Sequence, residues 1–174
     1  GYKGDYIKKY FYDYKIRDAD FKLKYVPEFH IEYLKKTNSN DWEITFVDTG
    51  EETLKGGRIK RVAKYIENDQ FHLTYGDGVS DINIENLVKF HKSHNKILTV
   101  TGVRPPGRFG EMLSDSNGSV IEFNEKPQAA AGRISGGYFV SSSKIFDYLD
   151  KDPSCVFEQH PLENLVKDHQ LQVF

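Results

Sequence analysis

The stretch FHLTYGDGVSDINIENLVKFH, Phe71 to His91, decides the fold. Phe71–Tyr75 is a short β-type run, and it stops abruptly at Gly76-Asp77-Gly78. From Ile84 to His91 the residues Ile84, Leu87, Val88 and His91 share one helical face. Directly after comes ILTVTGV, residues 97–103, almost wholly apolar or threonine, which suits a strand buried on both faces. Strand, turn, helix and buried strand in this order point to an α/β domain. Ligands of open α/β sheets bind beyond the carboxyl ends of the strands, and Asp77 stands at such an end. Glycines on both sides allow a sharp turn and close approach of a ligand. A lone carboxylate there suits Mg²⁺, which takes one or two protein carboxylates and fills its shell with phosphate oxygens and water. Asp-Gly is also a common turn dipeptide, so a plain turn remains open at this point.

The rest of the chain extends the same pattern. Asp5–Tyr14 has apolar residues at Tyr6, Ile7, Tyr10, Phe11 and Tyr14, which predicts a helix with Asp5 as N-cap. FKLKYV, 21–26, and WEITFVDTG, 42–50, alternate and predict strands; 27–41, with Pro27 and the polar cluster Thr37–Asp41, predicts a loop. LKGGRIKRVAKYI, 54–66, carries a helical stripe at Ile59, Val62, Ala63 and Ile66. A hairpin is expected around Asp115–Gly118, ending near Glu125, then a strand at SGGYFVSS, 135–142. Short helices are expected at Lys144–Leu149 and Glu158–Lys167. The prediction is an α/β domain with a mixed, mostly parallel central sheet flanked by helices, read as a single domain over 1–174.

Bulk properties exclude several classes. The chain has 174 residues with 24 basic and 26 acidic side chains, a formal net charge of −2. That balance argues against nucleic-acid and anionic-membrane partners. No apolar run approaches the ~20 residues of a membrane span. The single cysteine, Cys155, rules out an intramolecular disulfide and fits a reducing cytoplasm. It has no evident base partner, so a thiol nucleophile is not expected. The opening GYKG reads as a strand-to-helix turn without its strand, and the closing LQVF as a strand just begun. These ends predict a segment of a longer protein.

Three further stretches could carry chemistry. Gly56 and Gly57 precede Arg58 at a helix start, where free amides favour phosphate, although the spacing is not that of a P-loop. A solvated basic helix face would explain the same residues. In EFNEKP, Lys126 could neutralise a phosphate as a point charge, with Glu125 beside it; an exposed charged strand end is the alternative. In SGGYFV, glycines open the strand, either for a sugar or for packing. RPPGRFG, 104–110, predicts a tight, positively charged loop. His91 and His94 could bind metal but are read as an exposed helix end.

Taken together, GYKGDYIKKYF, WEITFVDTGEETLKGGRIKRV, FHLTYGDGVSDINI, RPPGRFG, EFNEKP, SGGYFV and FEQHPL resemble the glucose-1-phosphate cytidylyltransferases, within the sugar-nucleotidyltransferase superfamily. The DTG, GGR and YGDG series is fairly specific to the cytidylyl branch; EKP marks only the superfamily. The resemblance implies a Rossmann-like nucleotide-diphospho-sugar transferase fold. It implies that CTP and glucose 1-phosphate give CDP-glucose and pyrophosphate, with Mg²⁺ as cofactor. The product would feed bacterial surface-polysaccharide (O-antigen) synthesis from a cytoplasmic homo-oligomer. By motif match, Asp77 holds Mg²⁺ and Gly76 admits nucleotide or sugar. Arg58 and Thr53 meet the nucleotide, Lys126 the sugar phosphate, and Glu125 the glucose hydroxyls. Gly110 and Gly137 border the sugar. The family's Gly-rich loop precedes Gly1, and its second metal-binding aspartate follows Phe174, so this segment is expected to be inactive alone and poorly stable. Rival readings are a UTP- or dTTP-using transferase, a nucleotide-sugar-dependent glycosyltransferase, and a non-catalytic nucleotide-sugar-binding module.

Overall fold

A computed structural model describes residues 2–17, 19–34, 42–105, 111–124 and 132–174. The chain divides into two compact units, Gly1–Thr53 and Leu54–Phe174.

In the first unit, helix α1 spans Gly4–Tyr12 and α2 spans Tyr14–Arg17. The N-cap is Lys3, in left-handed backbone with φ 52°, and not Asp5. Asp5 lies in the first turn, where a carboxylate still meets the positive end of the helix dipole. Strand β1 (Phe21–Lys24) pairs antiparallel with β2 (His30–Tyr33), so a strand occupies part of the expected loop. The Lys24 ammonium lies 2.6 Å from the Glu32 carboxylate across this ribbon and, with their hydrogen bond, holds that carboxyl below its ordinary range. The strand expected at 42–50 does not form. Alternation supplies a sided surface, but a ladder needs a partner backbone, and none pairs there among the described residues. Side chains engage instead: the Trp42 ring lies 5.4 Å from Tyr14 and 6.2 Å from Phe11, and Phe46 lies 5.9 Å from Phe11.

The second unit holds the hydrophobic core. Its elements are α3 (Lys55–Val62), β3 (Gln70–Thr74), α4 (Ile84–Lys92), β4 (Leu98–Val103), β5 (Glu111–Ser114), β6 (Val120–Asn124), β7 (Ile134–Ser142), α5 (His160–Lys167) and β8 (Leu171–Val173). Lys144–Leu149 was expected as a helix and forms a 3-10 helix over Ser143–Tyr148. The main sheet has the order β3-β7-β4-β8. Strand β7 is antiparallel to both β3 and β4, while β8 runs parallel to β4. Strands β3, β4 and β8 therefore point one way, with β7 reversed among them: the sheet is mixed, as expected, but it is not mostly parallel in its pairing, because β7 inserted between β3 and β4 makes two of its three ladders antiparallel. LQVF, read as the start of a strand, is β8 with its flanking Phe174. Strands β5 and β6 form the expected hairpin.

Ile59, Leu98, Phe139, Ile145, Phe157 and Leu165 pack into one core cluster. Burying each such side chain is worth about 1.5–3 kcal/mol. All the buried apolar residues of the described chain lie in this unit. Helix α4 starts at Asn83, whose side-chain oxygen accepts from the Asn86 amide at 2.9 Å.

The His91/His94 pair departs from expectation. His91 is buried, because its helical register puts it on the stripe with Leu87 that α4 turns inward. Its Nδ1 lies 2.7 Å from Thr99 Oγ1, and His94 Nε2 lies 2.9 Å from the same oxygen. His94 Nδ1 accepts from the Lys96 amide at 3.2 Å, which leaves Nε2 to donate to Thr99 in the neutral ring. Thr99 then donates to His91. The histidines are thus parts of a packed polar bridge. Burial, then the charges of His94 and His72, push the His91 pKa down.

Candidate active site at the carboxyl edge of the sheet

Strand β3 ends at Thr74, and Tyr75 leads into Gly76-Asp77-Gly78. The Gly78 amide donates to Tyr75 O at 3.4 Å, which closes a tight turn with Asp77 at its exposed tip. Two contacts from β7 hold the turn. The Tyr75 amide donates to Gly137 O at 3.4 Å, and the Tyr138 hydroxyl donates to Gly78 O at 2.8 Å. The neighbouring pair in β7 and β3, Tyr138 and Thr74, closes the ladder at this end.

Gly137 is required by geometry. Its φ is +78°, and a Cβ there would lie 3.0 Å from Tyr75 Cδ2. Gly76 has open space around it: no protein atom lies within 4 Å of a Cβ there. The structure thus brings Gly76, Asp77 and Gly137 together around Tyr75.

Tyr75 is a residue that sequence reading missed, having counted it as a strand-end aromatic. Its hydroxyl donates to Glu158 Oε1 at 2.7 Å, and the Lys55 ammonium pairs with the same oxygen. Lys55 Nζ also sits 4.6 Å from the centre of the Tyr75 ring. Burial, with the Glu158 hydrogen bond, drives the Tyr75 pKa up, so it stays a neutral donor. Burial alone would raise Glu158, but hydrogen bonds from Lys55 and Tyr75 outweigh it and keep the carboxylate ionised. Lys55 begins α3, and Arg58 follows one turn later, half-buried. The signal for this cluster was present in FEQHPL and LKGGR, but nothing in their spacing joins positions 55, 75 and 158.

Of the amides expected to be free at the start of α3, that of Gly56 is engaged. The Gly56 amide donates to Cys155 O at 2.9 Å, and the Leu54 amide donates to Pro153 O at 2.7 Å. A Cβ on Gly56 would lie 2.5 Å from Cys155 Sγ, so this glycine exists for packing. Thr53, the other expected nucleotide contact, is buried in the first unit. Gly110, Glu125 and Lys126 lie outside the described residues.

Beside the Asp77 turn is a cavity of about 450 Å³. Ser80, Asp81 and Ile82 bound it after β3, Val103 and Arg104 at the end of β4, and Phe174 at the end of β8. Gly136 and Tyr138 of β7 and the preceding Arg133 complete it. It lies where the parallel strands end, at the position where open α/β sheets bind ligands. Among the described residues, no three histidines, cysteines or acids cluster to hold a metal. Asp77 offers one exposed carboxylate at the tip of the turn, and Mg²⁺ commonly takes one or two protein carboxylates with phosphate oxygens and water completing its shell.

Residues 23–173 match the nucleotidyl transferase family. The chain is 41% identical over its full length to the glucose-1-phosphate cytidylyltransferase of Salmonella typhi, and it spans 66% of that relative. The same figures hold for the probable glucose-1-phosphate cytidylyltransferase of Bacillus subtilis (strain 168). A mannose-1-phosphate guanyltransferase of Gibberella zeae is 29% identical over 91% of this chain and 46% of its own length. Among solved structures, HddC from Yersinia pseudotuberculosis aligns with 71% of this chain and 54% of its own, at 24% identity and a TM-score of 0.48. No helix of the described residues is long and apolar enough to cross a membrane.

Proposed function

The chain belongs to the nucleotidyl transferase family, and on that premise we propose that the protein carrying it is a glucose-1-phosphate cytidylyltransferase. The observation that carries the reading is 41% identity across the whole chain to enzymes of that name, against 29% to a guanyltransferase. The glycine-flanked carboxylate at the carboxyl edge of the sheet supports it.

In this reading a phosphate oxygen of glucose 1-phosphate attacks the α-phosphorus of CTP in line. A new P–O bond forms, the bond from the α-phosphorus to the bridging α–β oxygen breaks, and pyrophosphate leaves with the electron pair. Such chemistry asks a protein for positioning and charge neutralisation and for no covalent intermediate. Mg²⁺, held by Asp77, supplies charge neutralisation at the phosphates when bound. Arg58 contacts the nucleotide, and Gly76 gives it room. Lys126 neutralises the sugar phosphate, Glu125 accepts from glucose hydroxyls, and Gly110 and Gly137 border the ring. These roles rest on the motif match; for Lys126, Glu125 and Gly110 they rest on sequence alone. A cytoplasmic homo-oligomer that supplies CDP-glucose for surface polysaccharide belongs to the same reading and rests on the resemblance.

The test is pyrophosphate release by the full-length protein with glucose 1-phosphate and Mg²⁺, offering CTP, UTP, dTTP and ATP separately. Release with CTP alone, lost in Asp77→Ala, is expected. Release with UTP or dTTP in place of CTP would overturn the nucleotide. No release with any nucleotide would overturn the activity.

A further inference from the structure

The cavity beside the Asp77 turn carries two arginines that no motif match assigned. Arg104 directly follows β4, and Arg133 directly precedes β7. The last register pair of these two antiparallel strands is Val103 with Ile134. Arg104 and Arg133 are thus the next residue on each strand, side by side at the mouth of the cavity that both line. Like charges in neighbouring strand positions repel each other. Both side chains are exposed, and among the described residues neither has an ion-pair partner. Asp81 lines the same cavity without pairing with either of them.

The surroundings give Arg133 a defined course. A Cβ on Gly102 would lie 2.6 Å from Val173 Cγ2, 2.8 Å from Arg133 Cδ and 3.3 Å from Arg133 Cβ. The space left by the missing side chain at Gly102 is shared by Val173 and by the Arg133 stem that runs over it. The rest of the wall includes Ile82, Val103, Tyr138 and Phe174, apolar or ring surfaces beside two planar cations. Guanidinium groups match phosphate oxygens with paired donors, and two together would hold one such group.

We propose that Arg104 and Arg133 form a phosphate-binding pair at this cavity, gripping one phosphate group of a substrate whose ring lies against Tyr138 and Phe174. The proposal rests on the nucleotidyl-transfer reading for the identity of the substrate, and on the strand register for the site. Either the sugar phosphate or the pyrophosphate end of the nucleotide supplies that group.

The experiment compares the full-length wild type with Arg104→Ala, Arg133→Ala and the double variant. KM is measured for glucose 1-phosphate and CTP forward, and for pyrophosphate and CDP-glucose in reverse. Loss of a charge-assisted hydrogen bond predicts a rise of about ten- to hundred-fold in KM for each single variant. Arg→Lys variants should recover part of the loss. A rise confined to glucose 1-phosphate and CDP-glucose identifies the sugar phosphate; a rise for CTP and pyrophosphate identifies the triphosphate end. Unchanged KM for all four substrates in an active double variant overturns the proposal. If the wild type shows no transfer, the activity reading fails, and the pair is tested by calorimetry with inorganic pyrophosphate alone. Binding weakened at least ten-fold in the double variant would then support it, and equal or absent binding would sink it.

Discussion

Replacing Gly137 by alanine tests the turn that carries Asp77. Gly137 has φ +78°, and an L side chain in the left-handed region costs about 1–2 kcal/mol. The added methyl would also lie 3.0 Å from Tyr75 Cδ2. Tyr75 cannot simply retreat. Its hydroxyl is tied to Glu158 at 2.7 Å, its amide donates to Gly137 O, and its ring lies 5.7 Å from Phe139, edge to face. Crowding of this kind adds about 1–3 kcal/mol, for a total near 2–5 kcal/mol. Against a domain stability of about 5–15 kcal/mol this is a large loss. Gly118 provides the control: its φ is +84°, but nothing lies within 4 Å of a Cβ there. Gly118→Ala carries only the backbone cost of about 1–2 kcal/mol. Urea denaturation of the three proteins, followed by far-UV circular dichroism, measures the difference. Gly137→Ala should lose more than Gly118→Ala by about 1–3 kcal/mol, and should lose more activity in the full-length enzyme. Equal losses would refute the argument that Tyr75 is wedged against Gly137.

Three further outcomes are expected. Tyr138→Phe removes the donor to Gly78 O and should cost about 0.5–1.5 kcal/mol in a urea melt, with a higher Mg²⁺ requirement in the full-length enzyme; an unchanged metal titration would sever Tyr138 from the turn. Thr99→Val leaves two imidazole nitrogens without their shared partner and should cost about 1–3 kcal/mol per nitrogen left buried, read by thermal melting; a neutral result would mean the bridge is dispensable. The folded His91 pKa lies below its ordinary 6.5, so the unfolded chain takes the proton first. Its stability contribution is full above pH 6.5 and is lost as pH falls through the depressed folded value. Melts across this range should show a slope that His91→Gln reduces, and an identical slope in the variant would contradict the assignment.

The local order of elements was legible in sequence because it depends on short-range pattern. The run Phe71–Tyr75, the glycine-flanked Asp77, the stripe Ile84–His91 and the apolar 97–103 all became the elements their periodicities predict. Asp77 stood out because a carboxylate between two glycines ends a strand, and that is a matter of neighbours in the chain. Pairing was not legible in the same way. WEITFVDTG alternates as well as any strand here and forms no ladder among the described residues, since its fate depends on a partner backbone. His91 and His94 looked like a helix end because their partner, Thr99, sits on the following strand.

Only the tertiary structure decided which distant residues act as one. It reversed β7 between β3 and β4, and so set Tyr138 beside Gly78 and Gly137 beside Tyr75. It joined Lys55, Tyr75 and Glu158, and it aligned Arg104 with Arg133 by register. The sequence by itself determined the elements and the residue types at their ends, because φ/ψ preference and side-chain period act over a few residues. Packing decided the site, because burial and hydrogen bonding act between surfaces that the chain brings together only after it folds.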